Sequence, residues 1–329
     1  MRQPARVRLR MTTTTPRPRV IQTEHLDAAA AEWLKQRCEL IVCPWEDAAQ
    51  FDALLPSADA LLIRTYTRVD AALLAKAPRL RCVARAGVGL DNVDVAACKA
   101  RGVAVVSTPG ANTRAVVELV TAFMLDALRP RVFLERALGK SEWNAARKDL
   151  VGQRQLSDLT LGIIGLGRVG SGVARVGRAL DMRVVYHDLL SFEGERHCGG
   201  EPVGLERVLR ESDVLTLHPD GRAGNRGLLG AKELAMCKRD VLLINTSRGF
   251  VVDAGALAAF LKANTSASAM LDVHEPEPIP ADHPLLGIPN AHLSPHIGAA
   301  TATAQANMSW VVKDLWQVLS GGRPENPAW

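Results

Sequence analysis

Residues 159–170 read LTLGIIGLGRVG. The apolar run Leu159 to Ile164 suits a buried strand, and VARVGRAL (173–180) continues as a helix. Between them Gly165, Gly167 and Gly170 stand in the G-x-G-x-x-G spacing. In that order the glycines permit a tight turn, a close backbone approach to a pyrophosphate, and tight packing of helix on strand. The pyrophosphate would sit at the helix N-terminus, so Gly165, Gly167, Arg168, Val169 and Gly170 are its expected contacts. Asp188 stands eighteen residues after Gly170, at the end of the next apolar run, RVVYH. A carboxylate there accepts from both ribose hydroxyls and repels a 2′-phosphate. Leu189 and Leu190 follow it where a basic residue would be needed for NADP, so NAD is the expected cofactor.

Outward from this turn the chain alternates apolar runs with amphipathic stretches, which predicts parallel α/β structure. After Arg183–Asp188 the later strands are predicted at DVLTLH (213–218), VLLINTS (241–247), ASAMLDV (267–273) and AHLSPH (291–296). Before the turn, VIQTEHL, ALLIRTYT (60–67), LRCVARAGVG (80–89) and GVAVVSTPG (102–110) read as four strands of an earlier series. The three-and-four spacing of Val116, Val117, Val120, Phe123, Met124 and Ala127 predicts a helix within Asn112–Leu138 that bridges two domains. The final stretch ATATAQANMSWVVKDLWQVLSGG reads as one helix, stopped by Gly321-Gly322.

A chain of 329 residues, 47% apolar and 23% charged, is ordinary globular material and longer than one core usually serves. No run approaches about eighteen uninterrupted apolar residues, so no membrane span is expected. The net charge is +5, but Arg2, Arg6, Arg8 and Arg10 supply most of it, which leaves no general case for nucleic-acid binding. Six cysteines are scattered without a C-x-x-C pair. Neither a metal site nor a disulfide framework is indicated, and a reducing cytoplasm fits best. Residues 1–17 are expected to be a disordered tail. Their Arg- and Thr-rich, acid-free text also suits a transit peptide, or a start codon placed ahead of Met11.

Three further stretches fall at predicted strand ends, where ligands of open α/β sheets bind. They are NTSRG with Arg248, LDVHEPEP with Asp272, Glu275 and Glu277, and SPHIGAAT with His296. Hydride transfer from a hydroxy acid to NAD needs a base near neutral pKa, steadied by a carboxylate, and a planar cation for the substrate carboxylate. Histidine, glutamate and arginine meet those needs. Chemistry alone does not separate Glu275 from Glu277.

With these motifs assembled, the chain resembles the D-isomer-specific 2-hydroxyacid dehydrogenases, most closely the phosphoglycerate dehydrogenase branch in a short form without a regulatory domain. The matching text is ARAGVGLDNVDV (84–95), NTRAVVEL (112–119), GIIGLGRVG, INTSRGFVVD, LDVHEPEP and SPHIGAAT. The resemblance implies two Rossmann-like domains with doubly wound parallel sheets, the NAD-binding domain (111–297) inserted into the substrate-binding domain (18–110 and 298–329). It implies a cleft between them that closes on nicotinamide and substrate, and a homodimer. By resemblance His296 is the acid/base, Glu277 its partner, and Arg248 the clamp for the acid. Asp272 would orient the nicotinamide, with Thr246, His218 and Gly298 lining the cofactor site. Val88, Gly89 and Arg64 would contact substrate, with Asn92 shaping their loop and Arg64 and Arg85 available to a phosphate. The function implied is NAD-dependent oxidoreduction of a small 2-hydroxy or 2-oxo acid: phosphoglycerate, or hydroxypyruvate and glyoxylate. A corepressor-like NAD sensor of the same fold stays open, whereas formate dehydrogenase pairs its histidine with glutamine. Two departures from the pattern are Pro219 directly after His218, and His274 where an aromatic residue is usual; His274 reads as a packing residue.

Overall fold

The computed structural model describes residues 16–329 except 130, 132, 150, 152, 153 and 193–196. Most of the tail expected over residues 1–17 lies outside the described residues. By its contacts the chain divides into two compact units. One ends at Pro109 and resumes over Met308–Trp329, and the other is the inserted stretch Gly110–Asn307.

The outer unit holds β1 (Arg19–Gln22), β2 (Glu39–Val42), β3 (Ala60–Ile63), β4 (Cys82–Arg85) and β5 (Ala104–Val106). They form one parallel sheet in the order β2-β1-β3-β4-β5. Successive side chains of a strand point to opposite faces, and both faces here are covered. Ile21, Leu61, Ile63, Val83 and Val105 enter one apolar cluster. Their neighbours Val20, Ala60, Leu62, Cys82 and Val106 enter another with Leu34, Leu315 and Leu319. Continuous apolar text such as ALLI is what two-sided burial requires.

The inserted unit holds β6 (Thr160–Ile164), β7 (Arg183–His187), β8 (Glu201–Pro202), β9 (Val214–Leu217), β10 (Leu242–Asn245), β11 (Ser268–Leu271) and β12 (Ala291–Leu293). This sheet is also parallel, in the order β12-β11-β10-β9-β6-β7-β8. Leu161, Ile163, Val184 and Ile244 pack on one face, and Leu215, Leu217, Leu243 and Leu271 on the other. Each fully buried side chain of this kind contributes about 1.5–3 kcal/mol. In each sheet the strand order reverses beside the first strand, at β1 and at β6. Such a switch point places ligands beyond the carboxyl ends of the strands.

Several expectations need correction. β2 and β8 add to the strands read from the sequence; β2 is a four-residue edge strand of only partial burial, although Leu40, Ile41 and Val42 are apolar. The helix predicted within Asn112–Leu138 spans Thr113–Leu128 and does not run to Leu138. It ends just before the Arg129-Pro130 pair, and the residue before a proline disfavours helix. The last helix is two, Ala302–Ser309 and Val312–Leu319. At the break the buried Ser309 hydroxyl accepts from the Asp27 amide at 3.0 Å. Residues 298–307 fall with the inserted unit rather than the outer one. Gly298 is tied there through its amide to Asp272 and lies against Val116.

Candidate active site

The glycine turn follows β6 as the sequence implies. Gly165 adopts a φ of 91°, open to glycine at no steric cost, and a Cβ there would lie 2.5 Å from the His218 carbonyl oxygen. Gly170 is buried, and a Cβ on it would overlap the Gly165 carbonyl. Gly167 differs: it caps the helix Arg168–Ala179 without a side-chain cap, and a Cβ there meets nothing within 4 Å. The turn is therefore packed shut on the protein side and open at Gly167, Arg168 and Val169, where the helix begins. That shape fits the pyrophosphate of a dinucleotide.

Asp188 closes the turn from the end of β7. Its Oδ2 accepts from the Leu166 amide (2.6 Å) and its Oδ1 from the Leu190 amide (2.8 Å), which fixes the orientation of the carboxylate. His218, after β9, shares a 2.9 Å hydrogen bond with Thr216 Oγ1. Burial pushes its pKa down to about 3, which favours the neutral ring near neutral pH. Thr246, after β10, keeps a buried hydroxyl with no partner among the described residues. A buried orphan of this kind at a sheet's carboxyl end fits a hydrogen bond to a bound cofactor.

Arg248, Glu277 and His296 are brought to one cluster from three strand ends. After β10, buried Asn245 builds the Arg248 turn: its Oδ1 accepts from the Ser247 amide (3.0 Å) and hydroxyl (2.7 Å), and its Nδ2 donates to the Arg248 carbonyl (3.0 Å). Gly249 is needed because a Cβ there would overlap the His274 peptide. This close approach couples the Arg248 turn to the loop that follows β11. In that loop Glu277 Oε1 accepts from the His274 amide (2.8 Å), and Oε2 lies 2.7 Å from His296 Nδ1. Glu275 is turned elsewhere, paired through both oxygens with Arg226 at 2.6 and 2.9 Å. The geometry thus brings Glu277, and not Glu275, to the histidine.

The Glu277 hydrogen bond raises the His296 pKa above its ordinary value, against burial and the Arg248 charge, which lower it. For Glu277 burial is the largest influence and raises its pKa. The bonds from His296 and the His274 amide outweigh it, so the net shift is downward. His296 itself has a φ of 55°, a left-handed conformation that costs a non-glycine residue about 1–2 kcal/mol. Asp272 holds that turn. It is buried, and its oxygens accept from the Ile297 amide (2.8 Å), the Gly298 amide (2.7 Å) and the Ser294 hydroxyl (2.5 Å). This backbone work was not read from the sequence, where Asp272 figured only as a nicotinamide contact. Asn245 and Ser294 were missed too, although the small polar run after VLLI was a signal for the first.

In the outer unit, the exposed Val88 and half-buried Gly89 follow β4, and Arg64 follows β3. Asn92 ties the two loops, donating to the Thr67 carbonyl at 2.8 Å and the Arg64 carbonyl at 3.4 Å. Glu24 accepts the amides of Arg64, Thr65, Tyr66 and Thr67 at 2.6–3.1 Å. Arg85 is turned onto the same loop, its Nε donating to the Arg64 carbonyl (2.8 Å).

Comparison with known proteins bears on the same residues. Residues 121–298, just over half of the chain, match the family model of the D-isomer specific 2-hydroxyacid dehydrogenase, NAD binding domain. The chain is 38% identical to a glyoxylate reductase of Aeropyrum pernix over 316 residues, covering 93% of this chain and 94% of that one. It is also 38% identical over 271 residues to a D-3-phosphoglycerate dehydrogenase of Archaeoglobus fulgidus, covering 82% of this chain but only 51% of that longer one. The crystal structure of a glyoxylate reductase from Paecilomyes thermophila superposes with a TM-score of 0.82 at 28% identity, over 95% of this chain and 99% of the other. A glycine turn shaped for a dinucleotide and a match of this extent point the same way: the chain belongs to the D-isomer specific 2-hydroxyacid dehydrogenases, NAD-dependent oxidoreductases acting on a CH–OH group.

Proposed function

We propose that His296 is the general acid/base of the reaction, Glu277 its charge partner and Arg248 the clamp for the substrate carboxylate. The 2.7 Å contact between His296 Nδ1 and Glu277 Oε2 carries this reading. With Nδ1 engaged by a carboxylate, Nε2 is the nitrogen left to pass a proton to the oxygen on C2 of a 2-oxo acid, or to take it from the hydroxyl in reverse. The guanidinium of Arg248 offers a planar fork to the neighbouring carboxylate, which fixes the C2 carbonyl for attack from one face. NAD, when bound, supplies or accepts the hydride. For its site we assign Gly165, Gly167, Arg168, Val169, Gly170 and Asp188, with His218, Thr246, Asp272 and Gly298 around them. Replacing His296 with Ala should abolish 2-oxo acid reduction while NADH still binds; undiminished turnover would overturn the assignment.

For the substrate we propose a small unphosphorylated 2-oxo acid such as glyoxylate or hydroxypyruvate, contacted by Arg64, Val88 and Gly89. Arg85, the second cation a phosphate would use, is folded onto the Arg64 carbonyl, and Glu24 places a carboxylate on the amides of that loop. Phosphohydroxypyruvate is the second reading, favoured by the text ARAGVGLDNVDV and by the Archaeoglobus relative. A comparison of kcat/KM for the three acids decides: an advantage of tenfold or more for the phosphorylated acid, about 1.4 kcal/mol, refutes the first reading.

We further propose a homodimer in the cytoplasm. Phe133, Leu134, Trp143 and Val151 are exposed in one segment whose helix Lys140–Asp149 has no buried residue, an apolar surface that suits a partner subunit. Size-exclusion chromatography coupled to light scattering that returns a monomer would exclude it. All six cysteines are free and five are buried, which suits a reducing compartment, and among the described residues no helix is long and apolar enough to cross a membrane.

A further inference from the structure

His274 adjoins the proposed acid–base pair, its amide bonded to Glu277 and its ring to the Ser294 carbonyl. It is 8% exposed, and its ring meets His283 edge-on at 6.1 Å between centroids. Its backbone amide donates to Glu277 Oε1, a bond that any residue other than proline would supply. The side chain makes a further bond: Nε2 stands 2.8 Å from the Ser294 carbonyl. A carbonyl only accepts, so Nε2 carries the proton, whether the ring is neutral or charged.

The same Ser294 carbonyl accepts from the His296 amide at 3.0 Å. That second bond closes the turn in which His296 holds its left-handed φ of 55°. One carbonyl oxygen, with two lone pairs, thus receives the amide of the proposed acid/base and the imidazole of His274. Ser294 and His274 follow the paired strands β12 and β11; His296 comes two residues after Ser294, and Glu277 three residues after His274.

We propose that the His274 side chain is a positioning residue: by donating to the Ser294 carbonyl it braces the turn that aims His296 at Glu277. This inference rests on the acid–base roles proposed above for His296 and Glu277. The charged and titratable groups around His296 are Glu277, Asp272 and Arg248, and those around His274 are His283 and Glu277. Both protonation states of His274 keep the Nε2 donor, so the brace holds across the working pH range.

The test uses the full chain with NADH and whichever 2-oxo acid it reduces fastest. His274→Phe keeps the ring and loses the donor; His274→Gln places an amide nitrogen at about the reach of Nε2. The Phe variant should lose kcat by roughly tenfold, with NADH affinity within about twofold of the parent chain. Its pH limb assigned to His296 should move to lower pH, because the bond to Glu277 loosens. The Gln variant should recover most of kcat and restore the limb. Wild-type kcat and pH profile in His274→Phe would overturn the proposal, and so would equal impairment of both variants, which would mark packing as the cause. His296→Ala, assayed alongside, separates the two levels: retained turnover there sinks the acid–base assignment itself, and with it any role for a brace.

Discussion

Two glycines three residues apart should respond oppositely to the same added methyl group. At Gly170 a Cβ would fall well inside the 3.0 Å that real Cβ atoms keep from the Gly165 carbonyl, and 3.3 Å from Ile163 Cγ2. The helix Arg168–Ala179 would have to move off β6, and such overpacking costs about 1–3 kcal/mol. For a unit of this size that is a loss of roughly 3–10 °C in Tm. At Gly167 a Cβ meets no protein atom within 4 Å, and its φ of −66° is open to alanine. Gly167→Ala should therefore melt within about 2 °C of the parent. The methyl group instead enters the space assigned to the pyrophosphate, so NADH affinity should fall by at least tenfold, about 1.4 kcal/mol. Thermal melts without cofactor and NADH titrations by fluorescence quenching read the two effects separately. Parental NADH affinity in Gly167→Ala would refute the placement of the dinucleotide, and a parental Tm in Gly170→Ala would refute the packing argument.

Three further outcomes are expected. With His296 as the proposed acid, the rate of reduction should decline as pH rises through a pKa above the ordinary 6.5; Glu277→Gln removes the main cause of that elevation, and the decline should move to lower pH with kcat reduced at least tenfold. His218 is neutral in the fold with a pKa of about 3, whereas the unfolded chain protonates it near 6.5. Folding stability is then complete above pH 6.5 and falls as pH drops, by at most about 3 kcal/mol at pH 4.5; urea midpoints of His218→Gln should show a shallower loss over that window, and an identical slope would contradict the burial. Asp188→Ser removes the charge facing a 2′-phosphate, so the ratio of kcat/KM for NADH over NADPH should narrow, and an unchanged ratio would remove Asp188 from the cofactor site.

What could be read ahead of the structure was what is local. The glycine turn, Asp188 at the next strand end and the apolar runs of β6, β9 and β10 are each written within about a dozen residues, and both sheets follow from their alternation with helices. Glu275 and Glu277 show the limit. They sit two residues apart in the same loop, and what separates them is Arg226, 49 positions earlier, which takes Glu275 through both oxygens. His274 was read as packing because its distinguishing bond goes to a carbonyl twenty residues on. The short edge strand β2 and the break after Ser309 escaped for a related reason. The first is a four-residue edge strand whose apolar run, Leu40 to Val42, is short and only partly buried, and the second coincides with a hydroxyl accepting from Asp27, 282 positions away.

The two carboxylates around His296 divide work that one could not do. Asp272 is buried and accepts from two backbone amides and a hydroxyl, so it holds the turn but leaves the ring free. Hydrogen bonds to a charged acceptor contribute about 1.5–3 kcal/mol each, enough to offset the cost of a left-handed φ at His296. Glu277 is more open and takes the imidazole itself, raising its pKa. Were Asp272 asked to bind the ring as well, its amides would lose their partner and the turn would relax toward ordinary backbone, carrying Nδ1 away from any carboxylate. The turn is thus held by Asp272 through the backbone, while Glu277 orients the imidazole and raises its proton affinity.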